Sequence, residues 1–273
     1  MNYTKMHGAG NSFLILECLR GEEKGEDLSD LALRLCSEKT GPGADGLIVV
    51  LPGEPGVDFS MLFYNADGSL GEMCGNGARC LARYGVDHAL AADPEHIRIR
   101  TTAGLVTGRR VTAERHQIRL NDPSVIRRLE APAGDARIPC TYVELGRPGI
   151  PHAVTEVAEA AFADGDALRS RGRALRHSPA FPRGANVTFV CVTGPDSARA
   201  VTFERGVEDF TLACGTGCGA TAVSLMLAGR IAGDRLAVSM PGGLLSVSLR
   251  REGDTFRDIL LTGATAYVDS GEL

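Results

Sequence analysis

Two cysteines lie in the same local frame, Met73-Cys74-Gly75-Asn76-Gly77-Ala78 and Ala213-Cys214-Gly215-Thr216-Gly217-Cys218, about half the chain apart. Each Cys-Gly-x-Gly is followed by small residues that read as the start of a helix. A helix start offers several unpaired N–H groups and the positive end of the macrodipole, so it binds carboxylates and stabilises a thiolate. A cysteine placed there can ionise well below the ~8.5 of a free thiol. Flanking glycines let a ligand approach the backbone closely. A single cysteine in such a chain is most often a packing residue, and Cys18, Cys36, Cys80, Cys140, Cys191 and Cys218 are read that way. The repetition singles out Cys74 and Cys214 as a pair of acid/base thiols.

The other titratable residues offer less. The histidines, at positions 7, 88, 96, 116, 152 and 177, have no partner at i+3 or i+4, and the cysteines form no Cys-x-x-Cys, so no metal site is expected. Pyridoxal phosphate would need a Schiff-base lysine. Lys5, Lys24 and Lys39 are the candidates, and none lies in a phosphate-loop context. Gly41-Pro42-Gly43-Ala44-Asp45-Gly46 fits a dinucleotide pattern but follows a helix and precedes a strand, the reverse of what that site requires. No cofactor is expected. A net charge of -5 without a Lys/Arg run argues against nucleic acid as a partner.

These thiols must be held by a mixture of elements. Strand-like runs cover Phe13 to Glu17, Gly46 to Leu51, Phe59 to Tyr64, Ile97 to Thr101, Val187 to Val192, Ala200 to Phe203 and Leu244 to Leu249. Helix-like stretches cover Asp27 to Lys39, Ala78 to Leu90, Val154 to Ala163 and Gly219 to Ile231. The arginines at 169, 171, 173 and 176 read as a solvated loop or face. Gly219 to Ala228 holds no charged residue, which in a helix means burial on every side. The expected fold is therefore mixed α+β, with two pseudo-symmetric domains, each a strand-rich, barrel-like sheet around a central helix, and a cleft between them. The expected bounds are residues 1–120 plus 263–273 for the half carrying Cys74 and 121–262 for the half carrying Cys214, with a break near Asn121-Asp122-Pro123. Hydrophobic residues at 44% and charged residues at 23% suit a globular enzyme. The N-terminus lacks a secretory layout and no long apolar run exists, so a cytoplasmic location without membrane contact, and reduced thiols, are expected.

At this point the sequence resembles the diaminopimelate epimerase family nearly end to end. The resemblance rests on Met6-His7-Gly8-Ala9-Gly10-Asn11-Ser12-Phe13, Gly43-Ala44-Asp45-Gly46, Tyr64-Asn65-Ala66-Asp67-Gly68-Ser69, Met73 to Arg79, Gly184-Ala185-Asn186, Glu204-Arg205-Gly206, Ala213 to Gly217 and Pro241-Gly242-Gly243. It implies a homodimer that interconverts LL- and meso-diaminopimelate in lysine and peptidoglycan-precursor synthesis, without pyridoxal phosphate. It implies Cys74 and Cys214 as catalytic residues, His152 as partner of Cys74 and Glu204 as partner of Cys214. The α-carboxylate would rest on the N–H groups of Gly75-Asn76 and Gly215-Thr216. Asn11, Asn65, Asn186 and Arg205 would grip the unreactive end of the substrate. Gly46 and Ile150 depart from the family, where many members carry a glutamine and an asparagine; restoring those amides is expected to be tolerated. Other readings are a racemase of histidine or proline type on the same thiol pair, a cysteine hydrolase with one thiol and His152 as base, and a non-catalytic binding module.

Overall fold

The computed structural model describes residues 2–19, 27–71 and 73–273, and divides into two units, Met1–Arg119 with Thr262–Leu273, and Leu120–Leu261. Lys24 lies outside the described residues. In the first unit the chain makes a hairpin, Asn2–Gly8 against Asn11–Glu17, and the second of these strands runs parallel to Gly46–Pro52. Gly46–Pro52 is antiparallel to Phe59–Asn65, which is parallel to Ile97–Thr101. Gly104–Arg110 and Arg115–Arg119 follow antiparallel. The last strand, Thr255–Glu272, pairs with Arg115–Arg119 and then with Asn2–Gly8, which closes a circuit of eight strands. Closure leaves no edge exposed. Every second residue of Phe59–Asn65 (Phe59, Met61, Phe63) and of Ile97–Thr101 is buried, as expected of a sheet with one face on a core.

That core is a helix. Counting helices along the chain, α1 is Leu28–Cys36, α2 Gly75–Asp87, α3 Gly165–Arg176 and α4 Gly215–Leu227. α2 fills the first barrel and packs on its strands. It carries Gly75, Gly77 and Gly85, and a glycine in a helix interior, as at Gly85, costs about 1 kcal/mol relative to alanine. Burial therefore holds it, not propensity. Gly85 shows why a glycine is kept: a Cβ there would overlap the Phe59 ring.

The second unit repeats the plan. Ala136–Gly146 and Gly149–Glu156 form the hairpin, with Pro123–Ala133 antiparallel on the outer side. Gly149–Glu156 is parallel to Asn186–Gly194, which is antiparallel to Ser197–Phe203, which is parallel to Arg235–Met240, which is antiparallel to Gly243–Glu252. The alternation of parallel and antiparallel pairs matches the first unit strand for strand. α4 takes the place of α2 and is buried on all sides, Gly215 and Gly217 to Met226. α3 occupies the crossover that α1 occupies in the first unit, its Leu168, Gly172 and Leu175 turned onto a core with Phe189 and Phe203.

The structure corrects the sequence reading at Val154 to Ala163. Gly149–Glu156 is a strand, and only Glu159–Ala163 is helical, as a single 3-10 turn. Both faces of that strand are covered, so its apolar run lacks the alternation that marks a half-exposed strand. The crossover helix comes later, as α3, where Asp164 caps by accepting from Ala167 N at 2.9 Å. Arg171 and Arg173 are exposed on its outer face. Among the described residues no helix is long and apolar enough to cross a membrane.

Candidate active site

Cys74 is the N-cap of α2, in extended conformation at φ -122 and ψ 112, and its Sγ accepts from Gly77 N at 3.5 Å. This is the geometry expected when a helix start receives a thiolate. The side chain is half-buried. In the next residues Asn76 Nδ2 donates to Asn11 Oδ1 at 2.7 Å, which ties the first turn of α2 to the hairpin. Strand register brings Asn65 to the same end, because Phe13 pairs with Gly46 and Gly46 with Asn65. Asn65 Nδ2 donates to Ser69 Oγ at 2.9 Å within the turn that follows. Asn11, Asn65, Cys74, Gly75 and Asn76 thus gather at one end of the first barrel.

The second unit assembles Cys214, His152, Asn186, Glu204 and Arg205 in the corresponding way. Cys214 caps α4 at φ -119 and ψ 107, with Sγ 3.6 Å from Thr216 Oγ1 and its N–H donating to Met240 Sδ at 3.5 Å. Parallel pairing sets His152 beside Asn186, and Asn186 holds the neighbouring strands: its Oδ1 accepts from Arg205 N at 2.8 Å and its Nδ2 donates to Pro151 O at 3.2 Å. Thr211 Oγ1 donates to Glu204 Oε1 at 2.6 Å, and Glu204 also accepts a hydrogen bond from the Cys214 thiol. Burial raises the Glu204 carboxyl above its ordinary range, opposed by these two donors. The Cys214 thiol stands well above the ordinary cysteine range, first through burial and then through the Glu204 charge. The exposed Arg205 donates through Nη1 to Arg183 O at 3.2 Å.

His152 is fully buried, and neither ring nitrogen has a hydrogen-bond partner among the described residues. Burial, with Arg205 adding, pushes its pKa down to about 3, so the ring is neutral. A buried polar group without partners is uncommon and calls for a reason. His152 belongs to the unit that carries Cys214.

Two features were not read from the sequence. Thr211, which orients Glu204, stands in no recognisable pattern. Phe63 explains Gly46: a Cβ at Gly46 would fall 2.5 Å from Phe63 Cε2 and 2.8 Å from the Tyr64 carbonyl oxygen. The ring can turn, but the carbonyl belongs to the paired strand, so a side chain at Gly46 requires that strand to shift, which runs against the expectation that a glutamine is tolerated there. A cavity of about 530 Å³ lined by Cys140, Glu156, Ser224 and Ala228 opens toward the C-terminal end of α4, away from Cys214 at its start.

Comparison with known proteins addresses both halves at once. The family model for diaminopimelate epimerase matches residues 3–123 and 146–268. The chain is 34% identical over 285 residues to the diaminopimelate epimerase of a Synechocystis strain, covering all of this chain and 98% of that one. It is 36% identical over 291 residues to that of a Cyanothece strain, covering all of this chain and 99% of that one. Among solved structures the fold is similar to a probable proline racemase from Agrobacterium radiobacter, with TM-score 0.73 at 17% identity over all of this chain and 92% of that one. It is also similar to a PhzF-family phenazine biosynthesis protein from Bacillus anthracis, with TM-score 0.78 at 14% identity over all of this chain and 98% of that one. A sequence match that spans both barrels at such identity decides the family, and this chain belongs to the diaminopimelate epimerases, which are isomerases.

Proposed function

We propose that this chain interconverts LL- and meso-diaminopimelate, in lysine and peptidoglycan-precursor synthesis, by a two-thiol mechanism without a cofactor. The observation that carries the reading is the duplicated N-cap cysteine, Cys74 on α2 and Cys214 on α4, inside two barrels of one plan. In each turnover one thiolate removes the α-proton as the other thiol supplies a proton to the opposite face of the same carbon. The N–H groups of Gly75-Asn76 and Gly215-Thr216 hold the α-carboxylate and favour the charge that builds on deprotonation. Glu204 partners Cys214, and neutral His152 partners Cys74. Asn11 and Asn186 brace the helix start and the Arg205 segment through the bonds described above, and with Asn65 and Arg205 they serve the substrate's unreactive end. Residues 1–120 with 263–273, and 121–262, are the two acid/base halves. The working enzyme is a cytoplasmic homodimer acting on a free amino acid, with no nucleic-acid or membrane partner.

Gly46 and Ile150 favour one second reading, a racemase of a single-centre amino acid such as proline or histidine on the same thiols, because the amides many family members carry there are missing. One experiment decides: incubation in D2O with both diaminopimelate stereoisomers and a panel of free amino acids, following α-deuterium by mass spectrometry. Uptake into diaminopimelate alone supports the proposal. Uptake into proline or histidine without diaminopimelate would keep the chemistry and replace the substrate.

A further inference from the structure

Residues 204–209 join the strand Ser197–Phe203 to the short strand Phe210–Thr211 that leads to Cys214, and they begin with Glu204 and Arg205. Glu204 N–H donates to Asp209 O at 3.0 Å and Glu208 N–H to Glu204 O at 2.8 Å, so the loop closes on itself. The first unit closes its corresponding loop, residues 65–69, in the same way: Asn65 N–H donates to Ser69 O and Gly68 N–H to Asn65 O, each at 2.9 Å. The two loops differ at the last residue but one. There the first unit has Gly68 at φ +81, a conformation that glycine takes freely, and the second has Glu208 at φ +58. A glutamate in the left-handed region is uncommon, and it persists where its surroundings over-determine it.

Those surroundings are α3. Gly172, where a Cβ would lie 3.0 Å from Phe203 Cβ, lets the helix pack against the residue that precedes the loop. Arg169 and Arg176 stand on the same stripe of α3 as Gly172, and both turn to the loop. Arg176 Nε donates to Glu208 Oε1 at 3.0 Å, and His177 Nε2 lies 3.4 Å from Glu208 Oε2. The same Oε1 accepts from Gly206 N at 3.1 Å, and Arg169 Nε donates to Asp209 Oδ1 at 2.7 Å. Expected from the sequence on a solvated face, these two arginines instead hold the loop. Burial pulls the Glu208 carboxyl up, but the Gly206 N–H and Arg176 outweigh it and keep the group below its ordinary range, so it is ionised. In the first unit α1 reaches its loop through Ser29 Oγ, which donates to Gly68 O at 2.7 Å, a main-chain contact that asks for no side chain there.

Arg176 has a second neighbour. Gly184, at φ +64, is a place where a Cβ would overlap Arg176 Nη1, so the guanidinium lies against the main chain just ahead of Asn186. Asn186 Oδ1 accepts from Arg205 N at 2.8 Å, and Arg205 Nη1 donates to Arg183 O at 3.2 Å. One arginine of α3 therefore bridges residues 183–186 and the tip of the 204–209 loop, the two stretches that meet at Arg205. Glu204 has supports of its own in the Thr211 hydroxyl and the Cys214 thiol. Resting on the two-thiol reading above and on its assignment of Arg205 to the substrate's unreactive end, we infer that Glu208 is a positioning residue: paired with Arg176, it fixes the tip of the loop and so sets Arg205 in place before substrate arrives. The strained conformation is kept because the carboxylate makes a clamp that a glycine cannot make.

The test compares Glu208→Gly, which suits the left-handed conformation but deletes the carboxylate, with Glu208→Gln, which keeps its length and an acceptor without the charge. Both are made in the full-length protein. In Glu208→Gly, KM for diaminopimelate should rise roughly 3- to 10-fold, the effect of leaving one long side chain to be ordered by the substrate. kcat should stay within about twofold, because Glu204 and Cys214 keep their contacts. Glu208→Gln should fall between this variant and the unmodified protein. A role in stability alone predicts the reverse, since a glycine free of strain would leave KM as it was, and an unchanged KM overturns the inference. A fall in kcat with KM unmoved overturns it too, by placing the effect on Glu204 and not on Arg205. Amide hydrogen exchange without substrate separates this failure from failure of the epimerase reading, which the deuterium panel reports. Peptides spanning residues 204–211 should exchange roughly threefold faster or more in Glu208→Gly, and equal protection in the two proteins would show that Glu208 clamps nothing.

Discussion

Replacing His152 should remove a large part of the acid sensitivity of the second unit. A folded-state value near 3, against about 6.5 for an ordinary histidine, means that the unfolded chain takes up a proton over a range where the folded chain does not. The sign follows: the neutral ring is fully tolerated above about pH 6.5, stability falls as pH drops below that value, and the loss levels off only near the folded-state value. At pH 5 the gap is about 1.5 units, or roughly 2 kcal/mol at 1.36 kcal/mol per unit. Full burial and the absence of a partner for either ring nitrogen among the described residues justify using the whole figure, since water does not screen the group. Amide hydrogen exchange with peptide resolution reads each unit by itself. Between pH 7 and pH 5, after correction for the intrinsic exchange rate, peptides of Asn186–Gly194 and α4 should lose about 2 kcal/mol more protection in the unmodified protein than in His152→Gln. Equal losses in the two proteins would refute the reasoning. His116, pushed down to about 4 in the first unit, should act there in the same direction, over a narrower pH range.

Cys74→Ala and Cys214→Ala should each abolish epimerisation with circular dichroism unchanged; near-normal turnover in either would end the two-base mechanism. Gly46→Gln should lower the stability of the first unit by about 1–3 kcal/mol, the usual cost of overpacking, read as early loss of hydrogen-exchange protection in Gly46–Pro52 and Phe59–Asn65. Protection equal to the unmodified protein would show that the Tyr64 carbonyl can move aside. Arg205→Met should lower kcat/KM for diaminopimelate by about 10- to 150-fold, the equivalent of about 1.5–3 kcal/mol for a charged hydrogen bond, and an unchanged ratio would remove Arg205 from the substrate's distal end.

The duplicated thiol, the mixed fold class and the central helices were legible because they rest on local signals. Cys-Gly-x-Gly opens a helix at both places where it stands in this chain, and a helix with no charged residue from Gly219 to Ala228 has only a buried place to go. The strand at Gly149–Glu156 was misread because burial on both faces erases the period-two pattern, and the Glu and Ala residues just beyond it imitate a helix. Arg79, a fully buried side chain on α2, hid for the opposite reason. A charged residue in a helix suggests the solvent side, and only the closed barrel shows that every side of α2's first two turns faces protein. Gly46 hid because its constraint comes from Phe63 and Tyr64, a strand away. The tie from Asn186 to Pro151 and Arg205 likewise joins segments far apart in sequence.

The central claim, two single-proton thiols addressing one carbon, is tested most directly by where solvent deuterium goes at early conversion. Starting from either LL- or meso-diaminopimelate in D2O, with less than about one tenth converted, a proton removed by one thiol cannot return to the opposite face, so the product should carry one α-deuterium while recovered substrate stays unlabelled. Product that retains the substrate's own α-proton, or label appearing equally in substrate and product from the first time point, would contradict the account.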